Sequence, residues 1–173
     1  MVDTIFPSSS LLEERIYMRL ATICFLIEPG YIYLAPKKRG HGVGFLNCYG
    51  GKHKRGEHAR QCASRELFEE ARIRVKQNDL EKVAAIDFFE LQNHIFYCDV
   101  FFVHNWKGEP QETEEMGVPE RFPRGELPFG RMQKGDELWL PQLCRGEKLK
   151  GFIRKHPTTK DVIEYSFNPL MIF

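Results

Sequence analysis

The sequence has almost no charge imbalance and no long apolar segment. Lysines and arginines number 25 and aspartates and glutamates 24, which leaves a formal net charge of +1 over 173 residues. Without a global basic field, a nucleic-acid polymer is not an expected partner. No apolar run approaches the roughly 20 residues that a membrane span needs, so no membrane partner is expected either. This composition leaves a small anion, bound at a local site, as the open class of ligand.

Cysteine pairs with redox or metal-ligand spacing are also missing. The five cysteines are odd in number, scattered and never spaced as C-x-x-C: Cys24, Cys48, Cys62, Cys98 and Cys144. This spacing argues against a disulfide framework or a structural zinc site, and it predicts reduced thiols in a cytoplasmic protein. Residues 1–17 lack a cationic region followed by an apolar run, so no secretory signal is expected.

Apolar runs and turn signals predict one α+β domain at 18–173, preceded by an N-terminal extension at 1–17. Strands are expected at 18–28, 31–35, 45–50, 81–91, 94–104, 150–154 and 161–167. Helices are expected at 57–72 and 138–144, with loops through 107–135. Strands flank the helices without regular βαβ alternation, which favours an α+β fold with a mixed-sheet sandwich.

The helix predicted at 57–72 carries the residues with the clearest chemical meaning. Glu66, Glu69 and Glu70 are spaced i, i+3 and i+4, so they share one side of the helix. Three carboxylates so close together repel one another unless a cation compensates them. Mg²⁺ prefers oxygen ligands and bridges a few carboxylates to substrate phosphates, whereas the plainer interpretation is a solvated acidic face.

Two neighbouring features favour the metal site. Arg65 can pair with Glu57 or with a helix glutamate and hold that side chain in one rotamer. The Gly50-Gly51 pair lets the main chain approach a metal or a phosphate where a Cβ would obstruct. Lys52 either adds positive charge for phosphates or lies in a solvated loop. These residues predict hydrolysis at a diphosphate linkage with Mg²⁺, or Mn²⁺ as an alternative.

The stretch 51–73, GKHKRGEHARQCASRELFEEARI, resembles the Nudix box, which joins a glycine, a glutamate and an R-E-aliphatic-x-E-E signature. One position departs from the family pattern, since Arg72 stands where a glycine usually precedes the last aliphatic residue. Because Arg72 lies beyond the carboxylates, a changed helix C-cap is expected rather than lost chemistry. The resemblance implies a mixed β-sandwich flanked by helices.

The similarity extends over residues 18–167 to the MutT-type oxidised-purine nucleoside triphosphatases (8-oxo-dGTPases) of that family. It is carried by KKRGHGVGFLNCYGGK at 37–52, EEM at 114–116, LPF at 127–129 and WLP at 139–141. It implies Mg²⁺-dependent hydrolysis of oxidised purine nucleoside triphosphates to monophosphate and pyrophosphate. The corresponding role is sanitation of the nucleotide pool and avoidance of DNA damage, and we expect a monomer.

The resemblance also implies roles for individual residues. The metal ligands would be Glu66, Glu69, Glu70, Glu115 and a carbonyl of Gly50 or Gly51. Glu66 or Glu69 would accept the proton of the attacking water, while Arg65 and Glu57 hold the helix in register. Thr22, Lys37 and Asn47 match positions that line the nucleoside pocket or approach the phosphates. Asn47 suits a purine edge, although without the resemblance a strand-edge turn residue is the favoured interpretation.

The base-reading positions depart from the relatives. In GRMQKGDELWLP, residues 130–141, Gln133 replaces a stacking tryptophan and Gly135 replaces the first of two aspartates. Asp136 remains, and it either reads the base or caps the following helix. These departures leave two other functions open. One is a broad-specificity nucleotide diphosphatase, and the other is a non-catalytic nucleotide-sensing module.

Overall fold

An eight-stranded mixed sheet runs through the computed structural model, which describes residues 19–171. Its strands are β1 Leu20–Glu28, β2 Tyr31–Pro36, β3 Leu46–Asn47, β4 Leu80–Glu90, β5 Asn93–Val103, β6 Glu120–Pro123, β7 Leu149–Lys155 and β8 Val162–Pro169. Their order is β3-β2-β1-β5-β4-β7-β8, and β6 pairs with β2. The predicted extension at 1–17, and the first residue of the strand predicted at 18–28, lie outside the described residues.

The sheet contains both parallel and antiparallel pairs. β1 runs parallel to β5 from Leu20 to Leu26, and then separates to pair antiparallel with β2 at Ile27 and Glu28. β4 is antiparallel to β5 and parallel to β7. The mixed pairing confirms the predicted α+β class. No helix among residues 19–171 is long and apolar enough to cross a membrane.

Both faces of the sheet are covered, which confirms the predicted sandwich with flanking helices. Helix α1, Ala59–Ala71, packs its buried residues Ala63, Leu67 and Ala71 in an apolar cluster that includes Leu26 and Phe101. The opposite face packs against the short helix α2, Leu140–Cys144, and the residues before it. There Trp139 lies 6.1 Å from Phe25, centroid to centroid.

Helix α1 ends at the position where the sequence departs from the Nudix box. Arg72 is the C-cap and takes a left-handed conformation with φ +60°, and its N–H donates to the Phe68 carbonyl at 3.1 Å. A glycine adopts this conformation without a steric cost, whereas a side chain such as that of Arg72 adopts it with strain. The expectation of a changed C-cap is therefore confirmed.

Several predicted elements differ in extent. The strand predicted at 45–50 shortens to β3, because beyond Asn47 the chain leaves β2 and forms only an isolated bridge to β1 between Tyr49 and Cys24. The loop predicted at 107–135 contains β6, a four-residue strand that pairs with β2. The helix predicted at 138–144 divides into a 3₁₀ turn at Asp136–Leu138 and α2.

Candidate active site

The Gly50-Gly51 turn lies beside β1, where backbone hydrogen bonds hold it. Thr22 N–H donates to the Gly51 carbonyl at 2.9 Å, and Cys24 N–H donates to the Tyr49 carbonyl at 2.7 Å. A Cβ on Gly50 would lie 2.1 Å from the Thr22 carbonyl oxygen, and a Cβ on Gly51 would lie 2.6–2.8 Å from the Glu66 carboxylate. Only glycine allows the main chain to come this close to both groups.

Two glutamates of α1 point at this turn from consecutive helical turns. Glu66 reaches Gly51, and Glu70 Oε2 accepts a hydrogen bond from Gly50 N–H at 2.9 Å. Glu66 is 9% exposed and the Glu70 side chain 1% exposed. Burial raises the pKa of both carboxyls, although Arg65 opposes the shift at Glu66 and Lys37 opposes it at Glu70. Buried carboxylates of this kind suit a site that receives cations.

Arg65 connects the glutamates with one another. Its Nε and Nη2 each donate to the Glu57 carboxylate at 2.8 Å, and its Nη1 donates to Glu66 at 2.5 Å and to Glu69 at 3.0 Å. Arg65 Nη2 also donates to the Lys52 carbonyl at 3.1 Å. The guanidinium holds the pKa of Glu57 down to about 2. The predicted pairing of Arg65 occurs with Glu57 and with two of the three helix glutamates, Glu66 and Glu69.

A second loop brings Glu115 towards the same glutamates. Lys37 Nζ pairs with Glu70 Oε1 and lies 3.9 Å from Glu115 Oε2. Arg39 donates to Glu115 at 2.8 Å, and Lys38 N–H donates to the Glu115 carbonyl at 2.8 Å. The basic segment that follows β2 is thus tied to the acidic segment before β6, and Lys37 lies between Glu70 and Glu115.

The carboxylates of residues 19–171 do not form a ready-made coordination shell. No group of three Asp, Glu, His or Cys side chains within that range is gathered as around a bound metal. Arg65 and Lys37 engage the oxygens instead. The donor set nevertheless fits a hard divalent cation, because it is all oxygen and because Gly51 leaves open the space beside Glu66 that a Cβ would fill.

Two of the predicted pocket residues, Thr22 and Asn47, have different surroundings. Thr22 is 2% exposed and its Oγ1 lies 3.5 Å from Cys62 Sγ, so its side chain packs beneath the turn. Asn47 lies at the end of β3, and both its amide nitrogen and its amide oxygen make hydrogen bonds. Its Nδ2 donates to the Gly42 and Phe45 carbonyls at 3.0 Å, while its Oδ1 accepts from Gln133 Nε2 at 2.8 Å. Asn47 and Gln133, far apart in sequence, therefore meet.

Asp136 does not cap the helix that follows it, so that interpretation is wrong. Gly135 occupies the cap position with φ +101°, which places Asp136 inside the 3₁₀ turn. Gly135 N–H instead donates to Glu137 Oε2 at 2.9 Å. Burial raises the pKa of Asp136 to about 7, against the opposing charge of Lys155. Sequence reasoning missed Lys155, and no local pattern in the sequence points to it.

A glycine turn, a helix of glutamates and an arginine that joins them are arranged here as the resemblance to the Nudix box implies. The NUDIX domain model matches residues 18–143. The chain belongs to the Nudix family.

Curated relatives share about a third of the sequence. The chain is 35% identical to "Oxidized purine nucleoside triphosphate hydrolase" of Danio rerio over 79% of this chain and 86% of that protein. It is 33% identical to the protein of the same name from Mus musculus, over 90% of this chain and 97% of that one.

Solved structures share the fold. The crystal structure of a mutator MutT protein from Bacillus halodurans superposes with a TM-score of 0.72 at 23% identity, and covers 89% of this chain and 100% of that chain. A MutT NUDIX hydrolase from Burkholderia pseudomallei superposes with a TM-score of 0.64 at 22% identity, over 73% and 98% of the two chains.

Proposed function

We propose that the protein is a Mg²⁺-dependent hydrolase of purine nucleoside triphosphates, oxidised purines included, which releases monophosphate and pyrophosphate. The observation that supports it most directly is the approach of Glu66 and Glu70 to the Gly50-Gly51 turn. The two curated relatives act, by name, on oxidised purine nucleoside triphosphates. Their similarity over most of the chain supports the same substrate class here.

The metal ligands in this proposal come from the helix, the turn and the second loop: Glu66, Glu69, Glu70, Glu115 and the Gly50 carbonyl. Bound Mg²⁺, or Mn²⁺ in its place, would neutralise phosphate charge and lower the pKa of a water molecule. Lys37, whose side chain is 12% exposed, lies between Glu70 and Glu115 and is close enough to the ligands to contact a phosphate. The Gly51 main chain and Lys52 complete the proposed phosphate contacts, and the Lys52 ammonium lies 5.6 Å from the centroid of the Phe96 ring.

The reaction is an attack of water on a phosphorus of the α–β anhydride. A new P–O bond forms, the bridging P–O bond breaks, and the monophosphate and pyrophosphate separate. Glu66 or Glu69 accepts the proton of the water. Both carboxylates accept hydrogen bonds from Arg65 Nη1, and Glu57 fixes that guanidinium through two further bonds. Arg65 and Glu57 therefore act by positioning the proton acceptor.

The base would lie near Asn47, Gln133 and Asp136. Thr22 contributes to this site indirectly, because its N–H supports the Gly51 carbonyl. The role we propose is removal of damaged nucleotides from the pool, which avoids their incorporation into DNA. The five cysteines are all free, and this fits the reducing conditions of the cytoplasm.

One observation favours the second candidate, a broad-specificity nucleotide diphosphatase. Both Asn47 Nδ2 hydrogens donate to carbonyls, and Oδ1 accepts from Gln133, so the amide can donate to a purine only after one of the carbonyls moves. Weak base discrimination would follow from such competition. The third candidate, a non-catalytic sensing module, is disfavoured because all four glutamates of the proposed metal site are retained.

A substrate panel with Mg²⁺ tests these candidates. Purified protein is given 8-oxo-dGTP, dGTP, dATP and dCTP, and the products are separated by anion-exchange chromatography. Monophosphate and pyrophosphate from the purines support the proposal, whereas equal rates on all four support broad specificity. Diphosphate and inorganic phosphate as products would contradict the proposed cleavage. Failure of the protein to hydrolyse any of the four substrates would favour the sensing module.

A further inference from the structure

The Lys155 side chain lies against Gly135, the residue before Asp136, and within residues 19–171 it forms no ion pair with that aspartate. A Cβ built on Gly135 would lie 3.3 Å from Lys155 Cε and 3.6 Å from Lys155 Nζ. Each residue is the strongest charged influence on the other, and in the described part of the chain neither side chain pairs with another side chain. Because residue 135 has no side chain, the Lys155 side chain can occupy the space beside it.

The other carboxylates near Lys155 are engaged elsewhere. Glu90 pairs with Lys160, and Glu137 accepts the hydrogen bond of Gly135 N–H. Lys155 is itself partly buried, and this desolvation lowers its pKa while Asp136 opposes the shift. A desolvated cation with no close partner gains most from a ligand that supplies an acceptor.

Lys155 belongs to the same region as the proposed base site. Asp136 and Gln133 lie in one turn, and Gln133 Nε2 donates to Asn47 Oδ1 at 2.8 Å. His41, adjacent to the loop that Asn47 contacts, has its pKa lowered by burial and then by the charge of Lys155. The positive charge of Lys155 therefore acts on groups in the loop that follows β2 as well as in the turn that contains Asp136.

We propose that Lys155 is a specificity-determining residue that, together with Asp136, selects purines with a carbonyl group at C6 over purines with an amino group there. The Asp136 carboxylate accepts the N–H donors of a guanine-type edge, and the Lys155 ammonium donates to the carbonyl oxygen. A 6-amino purine presents a donor to the ammonium and leaves it unpaired. This inference rests on the proposed function for the class of ligand, a nucleotide.

Replacement of Lys155 by methionine removes the charge and keeps an unbranched side chain. We expect the wild-type protein to have a higher kcat/KM for dGTP than for dATP, and Lys155→Met to reduce that ratio roughly ten- to a hundredfold. Lys155→Arg, which keeps the charge, should retain most of the preference. The matched control is Lys160→Met, since Lys160 pairs with Glu90 and should leave the ratio unchanged.

Binding of GMP and AMP, measured by calorimetry without metal, separates this inference from the hydrolysis. A wild-type preference for GMP that Lys155→Met removes supports the inference even if no triphosphate is hydrolysed, a result that would contradict only the proposed function. Lys155→Met with the wild-type preference in binding, at an unchanged melting temperature, overturns the inference. So does a wild-type protein that binds GMP and AMP equally.

Discussion

Arg65 and Glu57 form a two-pronged ion pair in which Nε and Nη2 each donate to a carboxylate oxygen at 2.8 Å. The same guanidinium reaches Glu66 and Glu69, so the pair fixes the glutamates of the site as well as the loop before α1. Glu57→Gln should therefore reduce the free energy of unfolding by about 1.5–3 kcal/mol, the range for hydrogen bonds to charged groups, and also lower kcat.

The contribution of Glu57 to the stability of the fold depends on pH, and its lowered pKa sets the direction of that dependence. The pKa of Glu57 is about 2 in the folded protein and about 4.3 in an unfolded chain. The stabilisation is complete above pH ~4.3 and is lost as the pH falls towards 2, and Glu57→Gln should flatten that slope in urea titrations. Glu120 accepts a similar pair of hydrogen bonds from Arg131, but this ion pair is exposed. Glu120→Gln should therefore change the stability of the protein little. Equal losses in both variants would contradict the positioning role.

Glu69→Gln and Glu70→Gln should each lower kcat by about a hundredfold or more with the fold retained, because an amide is a weaker ligand for a hard metal than a carboxylate. Added Mg²⁺ or Mn²⁺ should raise the melting temperature of the wild type more than that of either variant. Glu114→Gln is the control, since that side chain is 88% exposed and lies beside Glu115. Near-wild-type turnover in both variants at neutral pH would rule out the proposed site.

Arg72→Gly should stabilise the protein by about 1 kcal/mol, because glycine adopts the left-handed conformation at φ +60° without strain. Arg72→Ala shortens the same side chain, which lies over the Phe68 ring, but keeps a Cβ, so it should not be stabilising. Catalysis should change little in both variants. A tenfold fall in turnover with intact folding, about 1.4 kcal/mol of activation free energy, would show that Arg72 acts on the substrate or the carboxylates.

The parts of the fold that follow from local patterns could be predicted from the sequence. Helical spacing predicted the buried side of α1, where Cys62, Ala63 and Leu67 pack, and the shared side of the glutamates. The Gly50-Gly51 pair predicted a close approach of the main chain, and Gly51 lies directly against Glu66. Each of these signals involves residues that are near one another in the chain.

The remaining features depend on contacts between distant segments. Strand β6 is short and polar, and only its pairing with β2 makes it a strand. Gln133 donates to Asn47 from 86 positions away, and Lys155, at the end of β7, approaches Gly135. The cap predicted for Asp136 fails because the left-handed φ of Gly135 starts the turn one residue earlier. None of these relationships produces a periodic or composition signal.

Asp136 should make the protein less stable as the pH rises. Its pKa is about 7 in the folded protein and about 3.9 in an unfolded chain, so the folded state binds more protons between those values. Stability therefore falls through that window, and Asp136→Asn and Asp136→Ala should both be more stable than the wild type at pH 8. Because Asp136 makes no cap, the alanine variant should lose no capping energy. Urea unfolding at pH 4, 6 and 8 measures this, and destabilised variants at pH 8 would contradict it.

The same aspartate should contribute to base preference. By the resemblance, Asp136 is retained, whereas Gly135 and Gln133 stand at the positions of a second aspartate and a stacking tryptophan. We expect 8-oxo-dGTP to be hydrolysed with a weaker preference over dGTP than in the oxidised-purine nucleoside triphosphatases that the chain resembles. Loss of one charged hydrogen bond is worth about 1.5–3 kcal/mol, so Asp136→Asn should reduce the remaining preference by one to two orders of magnitude at most. The measurement is the ratio of kcat/KM for the two substrates. A ratio unchanged in Asp136→Asn and Asp136→Ala would assign base recognition to other residues.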